Sequence, residues 1–172
     1  MPACGSRSCR GGIMLETMIA MGVIVIFLSG VYASNSRVWG LLRSSLESNA
    51  ASRLLNGRAE QLRGSTWAQV TDSGFLAMSV LSVAPDSGGE LSALNEVIDV
   101  IAFPPPTPAP APIEVARDST GNVTTPLAGD GSMFLQPSVQ VTLTANWTAK
   151  GGRPHQRQFS MIFTQGGVTG RK

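Results

Sequence analysis

Side chains with obvious catalytic chemistry are scarce in this chain. His155 is the only histidine, and Cys4 and Cys9, the only cysteines, both fall within the first ten residues. These three side chains do not make up a tetrahedral zinc site. His155 lies beside Pro154 in a glycine-rich segment, so we expect it in a surface loop and not as a catalytic base. With no G-x-S-x-G motif and no phosphate-binding loop, we predict no enzyme, no catalytic residue, no metal and no cofactor.

The most informative side chain is the carboxylate of Glu16. It lies within the only long apolar stretch, the 21 residues 13–33. A helix of that length spans about 30 Å, which matches the hydrocarbon core of a bilayer. A carboxylate in such a segment costs roughly 2.5–3.5 kcal/mol, and less near an interface. Glu16 therefore either has a function inside an apolar environment or sits hydrated at the headgroup level.

A short basic leader precedes the apolar stretch. Its charges are Arg7 and Arg10, and Gly11 and Gly12 join it to the stretch. The positive-inside rule places this leader in the cytoplasm and the chain from about residue 34 onward outside it, with a single pass through the inner membrane. A cleaved secretory signal has a shorter apolar region of roughly 7–15 residues, and a plain signal anchor leaves the glutamate and the two glycines unexplained.

The helix is expected to continue beyond the membrane. Residues 34–63 contain no proline, and their apolar positions form a helical stripe. Gly64-Ser65 is a stop signal, so one helix is predicted from near Ile13 to near Arg63. The apolar stripe consists of Leu42, Leu46, Ala50, Leu54, Leu55, Ala59 and Leu62, and the residues expected mainly on the other faces are Arg37, Arg43, Glu47, Arg53, Arg58 and Glu60.

The start of the chain resembles a known signal. Residues 11–28, GGIMLETMIAMGVIVIFL, resemble the class III signal of type IV prepilins and type II secretion pseudopilins. In that family prepilin peptidase cuts after a leader glycine and methylates the new amino terminus, and a glutamate is the fifth mature residue. Cleavage between Gly11 and Gly12 gives Glu16 that position and is favoured. Cleavage between Gly12 and Ile13 would make Glu16 the fourth residue, and Gly12 is not the apolar first residue usual in the family.

The resemblance covers residues 1 to about 70. The segment RAEQLRGSTWAQV, residues 58–70, is similar to the minor-subunit branch of the family. The resemblance implies a minor pilin-like subunit whose partners are prepilin peptidase, the inner membrane and other pilin or pseudopilin subunits. It also implies that Glu16 pairs with a neighbouring subunit's amino terminus and sets axial register. The alternative is a membrane-anchored extracytoplasmic binding protein that does not polymerise.

Composition bears on the part of the chain outside the membrane. Charged residues make up 14%, and glycine and proline total 30, which indicates a loop-rich exterior and not a large helical enzyme core. Without Arg7 and Arg10 the chain has 11 basic and 11 acidic residues. This neutral balance gives no support to a nucleic-acid partner.

The exterior part is predicted as a small α+β head. Residues 96–103 and 113–116 read as strands. The proline-rich segment 104–112 reads as an exposed connector, with a peptide-ligand role disfavoured. Residues 72–95 look turn-rich, and residues 118–131 read as a loop.

The clearest sheet signal is a terminal hairpin at 138–164. Apolar and polar residues alternate from Val139 to Trp147, which predicts a half-buried strand. A turn on Gly151-Gly152 leads to a strand with Phe159 and Phe163 on one face. We expect Trp147, Phe159 and Phe163 in the head core, with the hairpin packed on the second half of the helix.

These elements together define the predicted organisation. The fold class is α+β, a long N-terminal helix on a small C-terminal antiparallel sheet. The segments are a cleaved leader at 1–11, a membrane and assembly helix at 12–33, its amphipathic continuation at 34–64 and an extracytoplasmic head at 65–172.

Overall fold

The computed structural model describes residues 8–84, 90–149 and 151–166, and its account of side chains begins at residue 14. The chain divides into two compact units, residues 1–44 and residues 45–172. The fold class is the predicted one: a long N-terminal helix whose last part packs on a five-stranded antiparallel sheet.

Helix α1 runs from Ser8 to Arg63. It begins earlier than the predicted start near Ile13, because Gly11 and Gly12 do not interrupt it and no proline occurs in this range. It ends as expected: the amide of Gly64 donates to the carbonyl of Glu60 at 3.1 Å, and that of Ser65 donates to the carbonyl of Leu62 at 3.0 Å.

Short helical segments follow α1, and those after Thr71 lie where a turn-rich segment was expected. Helix α2 covers Trp67–Val70 and helix α3 covers Ser73–Phe75, which continues as a π-helical segment at Leu76–Leu81. The Asp72 carboxylate caps α3 by accepting from the amides of Gly74 at 3.2 Å and Phe75 at 3.0 Å, a standard helix-start device. The turn-rich prediction for 72–95 was therefore wrong over 73–81, where buried apolar side chains hold the helical segment against the sheet. It was also wrong over 92–95, which form the start of the first strand of the sheet.

The sheet has the strand order β3-β2-β1-β4-β5, and every neighbouring pair is antiparallel. The strands are β1 Ser92–Ala102, β2 Ile113–Arg117, β3 Val123–Ala128, β4 Ser138–Thr148 and β5 Pro154–Thr164. A 3₁₀ segment at Ser132–Leu135 leads into β4. The proline-rich segment 104–112 is the largely exposed connector between β1 and β2, with cis peptide bonds before Pro104 and Pro108.

Strand β3 corrects the loop predicted at 118–131. It is an edge strand with mostly exposed side chains, so it shows no alternation of buried and polar residues. The Asp118 carboxylate accepts from the amides of Thr120 and Asn122, both at 2.9 Å, and so shapes the turn from β2 into β3. Pro126 is tolerated in β3 because an edge strand has one unpaired side.

Strand β4 is the first strand of the terminal hairpin and pairs with β1 on its other edge. The predicted hairpin is present, with Val139 opposite Phe163 and Leu143 opposite Phe159. Its turn includes Gly152 at φ 74°, a conformation that suits glycine. The half-buried prediction was wrong for the middle of β4, where Thr142 and Thr144 are buried although they lie on the face opposite the apolar core. Flanking strands on both sides shield them.

The core of the head lies between the sheet and the end of α1. Leu54, Leu55, Ala59 and Leu62 of α1 join one cluster with inward residues of β1, β2, β4 and β5. Phe163 belongs to that cluster and Phe159 packs against it half-buried, while Trp147 is buried in a second cluster with Ala50, Ala51 and Leu91. The predicted stripe does not pack over its whole length, since Leu42 and Leu46 are 51% and 55% exposed.

Candidate functional site

The first candidate surface is the exposed part of α1. Every side chain from Met14 to Leu46 is exposed, and most of those up to Ala33 are apolar. The described helix is long and apolar enough to cross a membrane, with a mean hydropathy of 2.1 in its most apolar window, none of which is buried. Three of its hydroxyl groups are satisfied locally: Thr17, Ser29 and Ser36 each donate to a carbonyl three residues earlier, at 2.8–2.9 Å.

Glu16 stands apart on this surface. Its side chain is exposed, and it makes no hydrogen bond or ion pair with any described residue. The structure describes only some of the predicted leader residues. Helix α1 includes Arg10, Gly11 and Gly12, but only the backbone is described there. Arg7 lies outside the described residues. The arrangement on α1 is thus one unpaired carboxylate among apolar side chains that nothing in the described chain covers.

The head contains a buried ion cluster that the sequence analysis missed. Arg58 pairs with Glu96 through Nε–Oε1 at 3.0 Å and Nη2–Oε2 at 3.1 Å, and Arg117 Nη1 lies 3.3 Å from Oε2 of the same carboxylate. The Arg58 and Glu96 side chains are only 8% and 4% exposed. Arg58 also donates to the carbonyls of Val80 and Val83, the latter at 2.8 Å. One guanidinium therefore joins α1 to β1 and to the segment after α3.

The expectation that Arg58 and Glu47 lie on outer faces of the helix was wrong, because both are buried. The sequence of β1 did indicate that a basic residue is buried against it. Glu96 alternates in phase with Ile98 and Val100, which face the core, and an acid in that phase requires a buried basic partner. The identity of the partner depends on tertiary structure, since Arg58 lies 38 residues earlier in the chain.

His155 corrects another expectation. It lies in β5, not in a loop, and its ring stacks on Trp147 with centroids 5.5 Å apart and planes 16° from parallel. Trp147 Nε1 is buried and has no partner among the described residues. Beside the pair is an open depression of about 510 Å³ lined in part by the amides of Asn95, Asn146 and Gln156. The amide side chains of this depression can exchange hydrogen bonds with a polar ligand.

Two carboxylates face each other on the other side of the sheet. Asp99 and Glu114 are directly paired across β1 and β2. Burial, and then the charge of Glu114, raise the pKa of Asp99. Among the described residues no group of three or more His, Cys, Asp or Glu side chains is arranged to hold a metal ion.

Comparison of the chain with family models, with curated proteins and with solved structures finds no match. The functional argument therefore depends on the chain's own features. These are the exposed apolar helix with Glu16, a head that packs on the last part of that helix, and the depression beside Trp147.

Proposed function

We propose that this protein is a minor pilin-like structural subunit. Prepilin peptidase removes its leader, and the subunit then assembles into a type IV pilus or a type II secretion pseudopilus. The observation that carries the proposal is Glu16, an exposed carboxylate that no described residue pairs with, near the start of an exposed apolar helix. The same helix continues into a folded α+β head.

The length of exposed helix supports assembly. The run from Met14 to Leu46 has 33 residues, and such a helix extends about 50 Å at roughly 1.5 Å per residue. The hydrocarbon core of a bilayer covers only about 30 Å. Exposed apolar residues near the head end include Val38, Leu41, Leu42 and Leu46. Large uncovered apolar surfaces mark interaction sites, and helices of neighbouring subunits would cover this one.

Glu16 then acts in the packed filament. Peptidase cleavage leaves a positive amino terminus on each subunit, and Glu16 of one subunit pairs with the amino terminus of the next. In a low-dielectric setting this attraction offsets the cost of removing the carboxylate from water. Because a lone buried charge is costly, only the register that forms the pair is favoured.

The topology follows from the leader. Arg7 and Arg10 stay in the cytoplasm, α1 crosses the inner membrane once, and the head lies outside. The head, with its neutral composition, then projects from the filament. Its function is structural and recognition-related, and it is not enzymatic.

The test replaces Glu16 by leucine. Glu16→Leu is expected to insert in the membrane as the unaltered chain does, yet to be absent from sheared filaments and from pull-downs of other subunits. Glu60→Gln is the control, because Glu60 is an exposed acid further along the same helix, and it should assemble normally. Incorporation of Glu16→Leu at the unaltered level would refute the register role.

A membrane-anchored binding protein is the second candidate. The depression beside Trp147, with its three amide side chains, is the observation that favours it. Intact-mass measurement separates the two candidates. A processed subunit loses residues 1–11, or 1–12 with the other cleavage bond, and gains a methyl group, whereas a simple anchor keeps its full length.

A further inference from the structure

The charges on α1 mark out a segment with the length of a bilayer core. Between Glu16 and Arg37 lie the 20 uncharged residues 17–36, all of which are exposed. As a helix they extend about 30 Å, which equals the thickness of the hydrocarbon region. This window lies about one turn further along than the apolar run 13–33, and it leaves Glu16 just outside the hydrocarbon.

A face with interfacial chemistry begins at the far end of this window. Trp39 and Arg43 line one shallow groove on α1 together with Tyr32 and Ser36, and Trp39 and Tyr32 are 58% and 78% exposed. Tryptophan and tyrosine concentrate at membrane–water interfaces. A guanidinium makes charge-assisted hydrogen bonds to phosphate oxygens.

The charge of this region suits phosphodiester headgroups. From Thr17 to Leu46 the only charged residues are Arg37 and Arg43, and there is no acid. Cations with no acid among them on the same stretch of helix favour contact with the anionic phosphate groups of lipid.

Distances favour the 17–36 window over the 13–33 window. Headgroups extend roughly 5–7 Å beyond the hydrocarbon on each side. With the boundary at Ser36, the backbone of Arg43 lies about 10.5 Å beyond it and that of Trp39 about 4.5 Å beyond it; with the boundary at Ala33, Arg43 lies about 15 Å beyond it, too far for its side chain to reach this layer. Helical side chains point towards the N-terminus, so the long Arg43 side chain reaches back to the same layer.

We propose that in the unassembled subunit the hydrocarbon core covers residues 17–36. Glu16 is then hydrated at the leader-side headgroups, and Trp39 and Arg43 bind phospholipid headgroups of the opposite leaflet. The proposal rests on the membrane anchoring in the proposed function and does not depend on filament assembly. One consequence is that Glu16 loses its water only when the subunit leaves the bilayer.

Cysteine accessibility tests the window. In the full chain with Cys4→Ser and Cys9→Ser, single Leu15→Cys and Asn35→Cys variants are reconstituted in vesicles with a water-soluble maleimide on both sides. Leu15→Cys should be labelled several-fold faster than Asn35→Cys, since only residue 35 lies within hydrocarbon. Gly22→Cys, which lies inside the hydrocarbon in either window, is the protected control. Faster labelling of Asn35→Cys, or equal labelling of the two, overturns the proposal.

Fluorescence tests the headgroup contact. The Trp39 signal is the difference between the unaltered chain and Trp39→Phe in phosphatidylcholine vesicles with added phosphatidylglycerol. Quenchers at the headgroup should reduce it more than quenchers at the acyl-chain ends, and Arg43→Gln should weaken the headgroup quenching. Stronger deep quenching, or no quenching at either depth, overturns the contact. A chain that does not float with vesicles refutes anchoring itself, whereas a floating chain with the wrong pattern refutes only this window.

Discussion

At the scale of single residues, the buried ion cluster is where a single substitution is expected to reduce the stability of the head strongly. The Glu96 carboxylate is held by Arg58 and Arg117 at 3.0–3.3 Å. Such a pair adds little compared with a well-packed apolar core, but removal of one partner leaves a buried charge and costs about 3–5 kcal/mol. The cluster therefore fixes how the end of α1 lies on β1.

The Arg58→Ala variant tests this cluster. We expect the free energy of unfolding of the head to fall by about 3–5 kcal/mol, as measured by urea denaturation in mild detergent. Arg53→Ala is the matched control on the same helix. Its ion pair with Glu90 is solvent-exposed, with the Arg53 side chain 70% exposed, so the loss should stay below about 1 kcal/mol. Equal losses in both variants would contradict a buried role for Arg58.

The raised pKa of Asp99 predicts how the stability of the head changes with pH. Burial, and then the charge of Glu114, raise its pKa, so the folded state holds the proton more tightly than the unfolded chain does. Stability then falls as pH rises from the unfolded pKa through the folded pKa, and the ionised Asp99 is unfavourable above it. Asp99→Asn should raise the Tm at neutral pH. This gain should vanish at about pH 3, which is below the pKa of about 3.9 that an aspartate has in the unfolded chain.

Asp118 is the control, because its contribution to stability should change with pH in the opposite direction. Hydrogen bonds from the Thr120 hydroxyl and then the Asn122 amide lower its pKa. Its stabilising contribution is present above the unfolded pKa and is lost as pH falls through the folded pKa. Asp118→Asn should therefore lower the Tm at neutral pH. Thermal unfolding across pH checks both variants, and a change of the same sign in both would contradict the assignment.

At the scale of elements, α1 is one helix with two different surroundings. From Met14 to Leu46 its side chains are exposed, and from Ala50 onward its apolar side chains are buried by the sheet. The change does not come from the helix itself, because apolar residues at a spacing of four, Leu42, Leu46, Ala50 and Leu54, continue across it. It comes from where the strands begin to cover the helix surface.

Replacing leucines of α1 by alanine should show where along the helix the side chains become buried. Leu62 is fully buried, at 0% exposure, so Leu62→Ala is expected to lower the free energy of unfolding of the head by about 2–5 kcal/mol. Leu46 on the same helix is 55% exposed, and Leu46→Ala should change head stability by less than about 0.5 kcal/mol. Both are measured by urea denaturation. A large effect of Leu46→Ala would mean that the head covers more of the helix.

At the scale of the whole molecule, the chain separates into residues 1–44 and 45–172. Every buried residue of the two apolar clusters belongs to the second unit. In the first unit, the side chains from Met14 to Ser44 are exposed and no described residue covers them. The core of the head is therefore built without that surface.

A chain restricted to residues 45–172 should fold without membrane or detergent. Removing residues 1–44 deletes none of the buried core residues that the structure describes, so circular dichroism should show a cooperative unfolding transition. The full chain in detergent is the reference for its midpoint. A non-cooperative melt of the shorter chain would show that the head needs the first unit.

The α+β class, the end of α1 at Arg63, the terminal hairpin and the β2 strand followed from local patterns. Helical and strand periodicities are properties of neighbouring residues, and Gly64 is a local stop signal. Strand β3 escaped prediction because an exposed edge strand with a proline carries no such pattern. The burial of Thr142 and the stacking of His155 on Trp147 depend on which strands lie beside β4 and β5.

The sequence by itself determined the charge-free apolar segment of α1, the position of Glu16 relative to the leader glycines and the alternation that forms β4. Each is a matter of spacing along one continuous element. Only the tertiary structure decided that Arg58 and Glu47 are buried, that Leu46 is not, and that Glu96 is shared by two arginines. The physical reason is that burial and ion pairing depend on residues brought together from distant parts of the chain, and no local pattern specifies those partners.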